Sequence, residues 1–345
     1  TTTTTTTTTT TMTKNTKNML FSIRTIYSNA YTFAAIREDE TVVTWGTVAR
    51  TTQGLEIFPP PKFGDVQPQL TSVKAIYSNL YAFAAKKADD SVVTWGLEKY
   101  GGDSSGVDLT SVETIFSTFK AFAAKKKDRT VVIWGDCEYG GDCGDLPTLR
   151  AKLTSVDTIY STGKAFAAKK EGGSVVSWGD NYASFTATVQ SQLTSEVETI
   201  YSNSDAFAAK KTDGSLVTWG WGDTGGKSAS VHEQLTSVIN VSSARYAFAA
   251  LREDKAVVVW GYPRYGGDPG DMKSSLTSVD TIYSDKSSAA FAVKKTDGSV
   301  VSWGWCGQSC NSTNVQSQLE SVETVEPMLY AFAAKRTDGS VVTWG

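Results

Sequence analysis

A Trp-Gly dipeptide ends eight similar segments of the 345 residues, and this repeat constrains the fold more than any other feature of the sequence. Its tryptophans are Trp45, Trp95, Trp134, Trp178, Trp219, Trp260, Trp303 and Trp344. A Phe-Ala pair begins 12 residues before each, at Phe33, Phe83, Phe122, Phe166, Phe207, Phe248, Phe291 and Phe332. Because only the linkers vary in length, the pattern predicts eight copies of one small unit.

Each unit contains three short segments whose composition is typical of β-strands. In the fifth unit these are TIYS at 199–202, AFAAKK at 206–211 and SLVTWG at 215–220. Between the last two, Asp213-Gly214 predicts a two-residue hairpin turn with positive φ angles. Linkers such as VQSQL, at 189–193, have room for one helical turn.

A three-stranded unit of this size cannot bury both faces of its sheet alone, so the units are expected to stack on their neighbours. The period and the strand content together predict a β-propeller. The Ala pair of each AFAAKK segment is small enough for strands to crowd together, while Phe, Val and Trp fill the space between units. We therefore expect all eight repeat tryptophans to be core residues.

The repeat resembles that of RCC1-like propellers. The matching features are the AFAAKK strand with the strand before it, the Asp-Gly turn, SVVTWG, and the Tyr-Gly-Gly-Asp linkers at 100–103, 139–142 and 265–268. This resemblance covers residues 20–345 and implies an all-β propeller of eight units, or alternatively seven blades plus one irregular unit. It implies no function, because the family's activities depend on residues outside the repeat, and it implies no cofactor.

Residues 1–19 form a separate, Thr-rich segment that we expect to be an extended arm. Its hydroxyl groups are candidate sites of O-glycosylation. The candidates are Thr1, Thr2, Thr3, Thr4, Thr5, Thr6, Thr7, Thr8, Thr9, Thr10 and Thr11. An extended Thr run can also add as a strand to another molecule, which would link copies into a filament. The alternative is an arm that folds back on its own propeller.

Two linkers each carry two cysteines, Cys137 with Cys143 and Cys306 with Cys310. This arrangement predicts one disulfide within each linker and an oxidising, extracellular location. Two Asn-x-Ser/Thr sequons, at Asn240 and Asn311, agree with secretion if they lie on the surface.

Basic pairs such as Lys210-Lys211 end the second strand of most units. They indicate either a ring that binds an anionic partner or a solvated blade edge paired with nearby carboxylates. Two tryptophans lie outside the repeat, Trp221 and Trp305, and are candidate ligand-binding aromatics.

Composition argues against several classes of protein. The net charge is −3, which disfavours a nucleic-acid-binding protein. The sequence contains no run of 18 apolar residues, so no membrane-spanning helix is predicted. The single histidine, His232, takes the place of a linker Gln in other units, so a surface position is expected. Linker carboxylates such as Asp136 fit turns better than calcium loops, and no metal site is predicted.

Together these features favour a secreted structural protein that forms a homopolymeric filament through its arm, with a second copy of itself as the main partner. The alternative is a surface binding module that recognises a protein or a glycan through propeller loops. An enzyme is not predicted, because no acid, base or nucleophile stands out from the repeats.

Overall fold

The computed structural model of the chain describes residues 22–46, 63–142, 146–180, 187–284, 287–305, 310, 312–328 and 330–345. The predicted arm, residues 1–19, lies outside this part of the chain, as do Cys143, Cys306 and Asn311.

The described chain forms eight antiparallel sheets of three strands, and each sheet is one blade. Blades 1 to 4 are β1 (Ile23–Ser28), β2 (Thr32–Arg37) and β3 (Val42–Gly46); β4 (Val73–Ser78), β5 (Ala82–Lys87) and β6 (Val92–Gly96); β7 (Val112–Ser117), β8 (Ala121–Lys126) and β9 (Val131–Gly135); β10 (Val156–Ser161), β11 (Ala165–Lys170) and β12 (Val175–Gly179). Blades 5 to 8 are β13 (Val197–Ser202), β14 (Ala206–Lys211) and β15 (Leu216–Gly220); β16 (Val238–Ala244), β17 (Ala247–Arg252) and β18 (Val257–Gly261); β19 (Val279–Tyr283), β20 (Ala290–Lys295) and β21 (Val300–Gly304); β22 (Val322–Pro327), β23 (Phe332–Arg336) and β24 (Val341–Trp344). The all-β fold class and the count of eight units are thus confirmed.

Every blade has the same strand order and the same register. The repeat Phe lies opposite the repeat Trp, as Phe207 lies opposite Trp219. The register of the first strand shifts near its start, where Val197 pairs with Lys211 and Thr199 with Lys210. The same shift occurs in all eight blades, so it is a feature of the repeat.

The hairpin turn between the second and third strands is longer than predicted. In blade 5, the amide of Gly214 donates to Lys211 O and the amide of Lys211 donates to Ser215 O, both at 2.9 Å. Only the third residue of the turn has a positive φ, +77° at Gly214, so the expectation that Asp213 shares this conformation is wrong. Asp213 instead accepts hydrogen bonds from the amide and the hydroxyl of Ser215, at 2.9 and 2.6 Å.

Short helical segments in several linkers are followed directly by a leucine that lies in the core. The α-helices are α1 (Phe63–Val66), α2 (Leu146–Lys152) and α3 (Ala187–Gln192). The 3-10 segments are Gln67–Gln69, Glu98–Tyr100, Cys137–Tyr139, Gly222–Thr224, His232–Gln234, Pro263–Tyr265, Gly270–Ser275 and Thr313–Gln318. The leucine that follows the segment is buried in six blades: Leu70, Leu153, Leu193, Leu235, Leu276 and Leu319. Across the described ranges, no helix has the length and apolar character needed to cross a membrane.

Consecutive blades pack through two complementary faces. We call the side that packs on the next blade in chain order the forward face, and the side that packs on the preceding blade the rear face. The forward face of blade 2 carries Tyr77, Ala82, Ala84 and Val92. The rear face of blade 2 carries Val73, Ile76, Phe83, Ala85 and Trp95. The stacked rings of a rear face thus lie against the small alanines of a forward face, which leaves room for close packing.

This contact recurs at each of the seven junctions between consecutive blades, and each junction has its own hydrophobic cluster. The Phe and Trp rings stack in all eight blades, with centroids 5.0–5.5 Å apart. Stability therefore comes mainly from nearest-neighbour interfaces, as in other repeat proteins.

Backbone hydrogen bonds also join each blade to the next. The first residue of each first strand donates its amide to the third turn residue of the preceding blade, as Val238 does to Gly214 O at 2.9 Å. This bond is present at all seven junctions, at 2.9–3.1 Å. A second series links the turns between first and second strands of blades 2 to 7, where for example Phe119 N donates to Gly163 O at 2.8 Å. These bonds fix the stacking register of the blades.

Candidate assembly and binding surfaces

The rear face of blade 1 is uncovered. Its Phe33 and Trp45 are each 44% exposed, whereas the equivalent Phe83 and Trp95 of blade 2 are 2% and 1% exposed. Ile26 in the first strand is 58% exposed, against 4% for Ile76. The prediction of a core position is therefore confirmed for seven repeat tryptophans and wrong for Trp45, because none of the described blades packs on its outer side.

The forward face of blade 8 is uncovered as well. Val341 is 64% exposed, whereas Val300 at the same position of blade 7 is fully buried. Ala331 and Ala333 are partly exposed, although the equivalent alanines of blade 7 are buried. The described stack therefore has two apolar end faces, and they are the two halves of the contact that recurs inside it.

These exposures show that blade 8 does not cover blade 1 as the other blades cover one another. A ring closed through the same contact would bury Trp45 and Val341 to the extent seen inside the stack. The eight described blades are thus joined by the seven consecutive junctions, and within the described part of the chain the two end faces stay exposed.

A row of aromatic side chains lies on the linkers of blades 6 and 7 and reaches blade 8. The ring of Tyr265 is 4.9 Å from that of Tyr246 and 6.3 Å from that of Trp305. Trp305 meets Tyr330 edge-on at 5.5 Å, and the Arg264 guanidinium lies 4.5 Å from the Trp305 ring centre. This surface combines the exposed ring of Tyr330 and three half-buried rings with a cation.

The two candidate tryptophans therefore differ in their surroundings. Trp221 is 42% exposed and lies in the linker after blade 5, two blades away in the chain order from the linker that carries Trp305. Trp305 belongs to the aromatic row. The structure does not place the two in one described cluster.

Most of the basic residues at the blade edges are paired with carboxylates. Lys210 Nζ lies 2.6 Å from Glu198 Oε2, and Lys211 Nζ lies 3.2 Å from Glu196 Oε2. The same pairing occurs at Lys125, Lys126, Lys169, Lys294 and Lys335. These ion pairs offset the lysine charges. They therefore favour a solvated, charge-paired blade edge over a continuous cationic ring.

The predicted modification sites are described only in part. Neither Cys137 nor Cys310 is a free thiol, but the pairing with Cys143 and Cys306 falls outside the described residues and stays a prediction. Asn240 is exposed on β16, and its Oδ1 accepts a hydrogen bond from Tyr201 at 3.3 Å. Its surface position meets the requirement for a sequon, whereas Asn311 lies outside the described residues.

Several ionisable groups lie near the turns between the first and second strands of blades 4 to 6. Burial raises the pKa of Asp205, and the nearby Lys164 and Arg245 oppose that shift. Lys164 also lies 3.7 Å from Asp180. Lys164 and Asp205 hold the same turn position in blades 4 and 5, and charge balance between neighbouring blades accounts for these groups.

The remaining candidates have structural roles or simple surface positions. Asp136 accepts a hydrogen bond from the amide of Glu138 at 3.0 Å and caps the following 3-10 segment. His232 is exposed, as the sequence predicted. Among the described residues, no group of three or more His, Cys, Asp or Glu side chains is arranged to hold a metal ion.

Sequence reasoning missed the partners of the indole nitrogens. Trp134 Nε1 donates to Gly101 O of the preceding linker at 3.1 Å, and Trp260 does so to Gly225 O at 3.1 Å. The first glycine of a Gly-Gly pair in the linker provides this acceptor, with a positive φ of +95° at Gly101. The linkers before Trp219 and Trp344 lack this pair, and there the serine before the preceding repeat Trp accepts the indole proton, as Ser302 does for Trp344.

No protein family model matches the chain, and no curated protein matches it. Solved structures that resemble it include RCC1-family propellers, as the sequence predicted. Prp20p from Saccharomyces cerevisiae is 16% identical, with 73% of this chain and 74% of that chain covered and a TM-score of 0.37. The CRINKLY WD40 ectodomain of the Arabidopsis thaliana receptor kinase ACR4 is 13% identical, with 94% and 96% covered and a TM-score of 0.36. The computationally designed Ika8 protein is 12% identical, with 95% and 97% covered and a TM-score of 0.35.

Proposed function

We propose that this protein is an extracellular structural protein that assembles with itself into a homopolymeric filament. The observation that carries the proposal is the pair of uncovered apolar faces at the ends of the blade stack. Repeat proteins that stay monomeric cover their terminal repeats with polar caps. Here Trp45 and Val341 occupy positions that are buried in the interior blades, yet they are 44% and 64% exposed.

The two end faces differ from each other, and this difference determines the kind of assembly. A contact between two unlike surfaces is heterologous, and it generates an open filament unless the rotation between copies closes a ring. The Thr-rich arm, residues 1–19, is a second candidate for the contact between copies. The extracellular location is supported by the two described cysteines that are not free thiols and by the exposed sequon at Asn240.

The test is the mass distribution of the purified 37.1 kDa chain over a concentration series, with negative-stain imaging of the same samples. We expect integral multiples of the chain mass and filaments at high concentration. A single species of one chain at every concentration would reject the proposal.

Alkylation without reduction, followed by mass spectrometry, tests the location: four unmodified cysteines are expected, and four alkylated ones would contradict secretion.

A second candidate function is glycan binding by the aromatic row of Tyr246, Tyr265, Trp305 and Tyr330. Sugar rings pack on exposed aromatic faces, and the Arg264 guanidinium beside Trp305 adds a donor for hydroxyl or carboxylate groups. A glycan array with the wild-type chain and with Trp305→Ala tests this function. Glycan binding that is lost in Trp305→Ala but kept in Trp221→Ala would support it, and the absence of any binding would reject it.

A further inference from the structure

We propose that copies of this chain associate end to end by continuing the internal stack in register, with the rear face of blade 1 seated on the forward face of blade 8 of a second copy. The inference rests on the proposed self-assembly and names the contact that produces it. The seven internal junctions show what covers each kind of face, so the occupant is identified by continuity with an existing interface.

The apolar parts of the two end faces are complementary. The rear face of blade 1 presents Phe33 and Trp45, stacked at 5.5 Å as in every other blade. The forward face of blade 8 presents Ala331, Ala333 and Val341, which are the residue types that receive such a pair at the junction of blades 2 and 3. The bulky side of one end therefore meets the small side of the other, and like faces would not interdigitate in this way.

The backbone groups that join internal blades are also present at the two ends. At every internal junction the first strand donates an amide to the third turn residue of the preceding blade, as Val322 does to Gly298 O at 3.0 Å. Ile23 of a second copy holds the donor position, and Gly339 holds the acceptor position. A Cβ on Gly298 would meet Ser321 at 3.4 Å, whereas a Cβ on Gly339 would meet nothing within 4 Å, so this turn has the open space that a further blade occupies elsewhere.

Two side-chain contacts extend the correspondence. Lys294 Nζ donates to Glu323 O of the next blade at 3.2 Å, and its side chain is 20% exposed. Lys335, at the same position of blade 8, is 53% exposed and would reach the carbonyl of Arg24 in a second copy. Trp45 would donate its indole N–H to the Thr343 hydroxyl, as Trp344 donates to the Ser302 hydroxyl inside the stack.

An aromatic contact marks the inner edge of the junction. Tyr81 of blade 2 stacks on Tyr31 of blade 1, with ring centroids 5.4 Å apart. Tyr330 has the same position in blade 8 and is 49% exposed. In register, Tyr31 of a second copy would stack on Tyr330, so the contact between copies pairs the same residue types as the contact between blades 1 and 2.

The test uses one blocked end at a time. Val341→Arg places a charge on the forward face, and Ile26→Lys places one on the rear face; both positions are exposed, so folding is retained. Ile239→Lys is the matched control, because Ile239 is 42% exposed on blade 6, away from both ends. We expect Ile239→Lys to polymerise like the wild type, each blocked variant to stay monomeric, and an equimolar mixture of the two blocked variants to form dimers and nothing larger.

Other outcomes overturn the inference in distinguishable ways. Dimers of Val341→Arg alone would mean that two rear faces meet. Polymerisation of both blocked variants, with loss only on deletion of residues 1–19, would assign the contact to the arm while the proposed self-assembly stands. A wild-type chain that stays monomeric would reject both proposals.

Tyrosine photo-crosslinking gives a second measurement that does not introduce a charge. In the wild type we expect a ladder of covalent multimers from Tyr31 and Tyr330 of neighbouring copies. Tyr330→Phe should lose the ladder, whereas Tyr262→Phe, the control at a 43% exposed tyrosine, should keep it. A ladder that survives in Tyr330→Phe would contradict the proposed register.

Discussion

The indole Nε1 of Trp344 lies 2.9 Å from the hydroxyl oxygen of Ser302, a buried residue of the preceding blade. Trp219 makes the equivalent contact with Ser177 at 3.3 Å. In both cases the preceding linker lacks a Gly-Gly pair, whose first glycine carbonyl accepts the indole proton of Trp134, Trp178, Trp260 and Trp303. A serine in the third strand thus substitutes for a linker backbone atom, and it keeps a buried donor paired.

Replacement of this hydroxyl should destabilise the last junction. Ser302→Ala leaves the buried indole N–H of Trp344 without this acceptor, and we expect a loss of about 1–3 kcal/mol in unfolding free energy. Urea unfolding followed by circular dichroism measures it. Ser302→Thr is the control, since Thr94 and Thr218 hold the same position in other blades. Equal stability of Ser302→Ala and the wild type would show that the hydrogen bond contributes nothing.

The repeat tryptophans should fall into two classes. Trp219 is 3% exposed and lies between two blades, so Trp219→Ala should cost about 3–5 kcal/mol. Trp45 is 44% exposed, and Trp45→Ala should cost clearly less in the monomeric protein because one side of the ring already meets solvent. The two variants are compared by urea midpoint under conditions without assembly. Equal losses would mean that the rear face of blade 1 is covered in solution.

The repeat itself made much of the fold predictable. Strand positions follow from the fixed Phe-to-Trp spacing, and the tight packing follows from alanines that face aromatic rings. The turn was mispredicted because Asp-Gly occurs in only some units, while Glu40, Arg129 and Lys255 hold the positive φ in others. The hairpin geometry thus requires a positive φ at this position whatever the residue, and glycine adopts that φ with the least steric cost.

The end faces were not predictable from the repeat. Trp45 has the same sequence surroundings as the buried tryptophans, and only the curvature of the whole stack decides whether blade 8 reaches it. That curvature is the sum of small rotations at seven junctions, and no single residue encodes it. The role of Ser302 was hidden for a similar reason, because its partner Trp344 is distant in sequence and belongs to another blade.

Linker glycines should differ in how they tolerate a side chain. Gly225 has φ +108°, and a Cβ there would lie 2.7 Å from Phe248 Cδ2 of the next blade. Gly106 has φ +82° but has no atom within 4 Å of an added Cβ. Gly106→Ala should therefore cost only the backbone term of about 1–2 kcal/mol, and Gly225→Ala should cost more. Similar urea midpoints for the two variants would contradict the close approach of linker and ring.

Asp90, in the turn of blade 2, lies beside lysines of two different blades. The Lys127 ammonium of blade 3 hydrogen-bonds to its carboxylate, and Lys86 does so within blade 2, and together they lower the pKa of Asp90 to about 2. The folded protein therefore favours the ionised carboxylate. The resulting stability is present above the unfolded-state pKa of about 4 and is lost as the pH falls through about 2.

Lys127→Met should raise the pKa of Asp90 toward its usual range, because the largest stabilising contact of the carboxylate is removed. Carboxyl titration by NMR measures the shift, and high salt should shrink it since the pair is near the surface. Asp108 is the internal control: its pKa is also about 2, but its main partner is Lys126, 2.6 Å away. A Lys127→Met protein in which both carboxyl groups shift equally, or in which Asp90 does not shift, would mean that Lys127 does not hold the turn of blade 2 against blade 3.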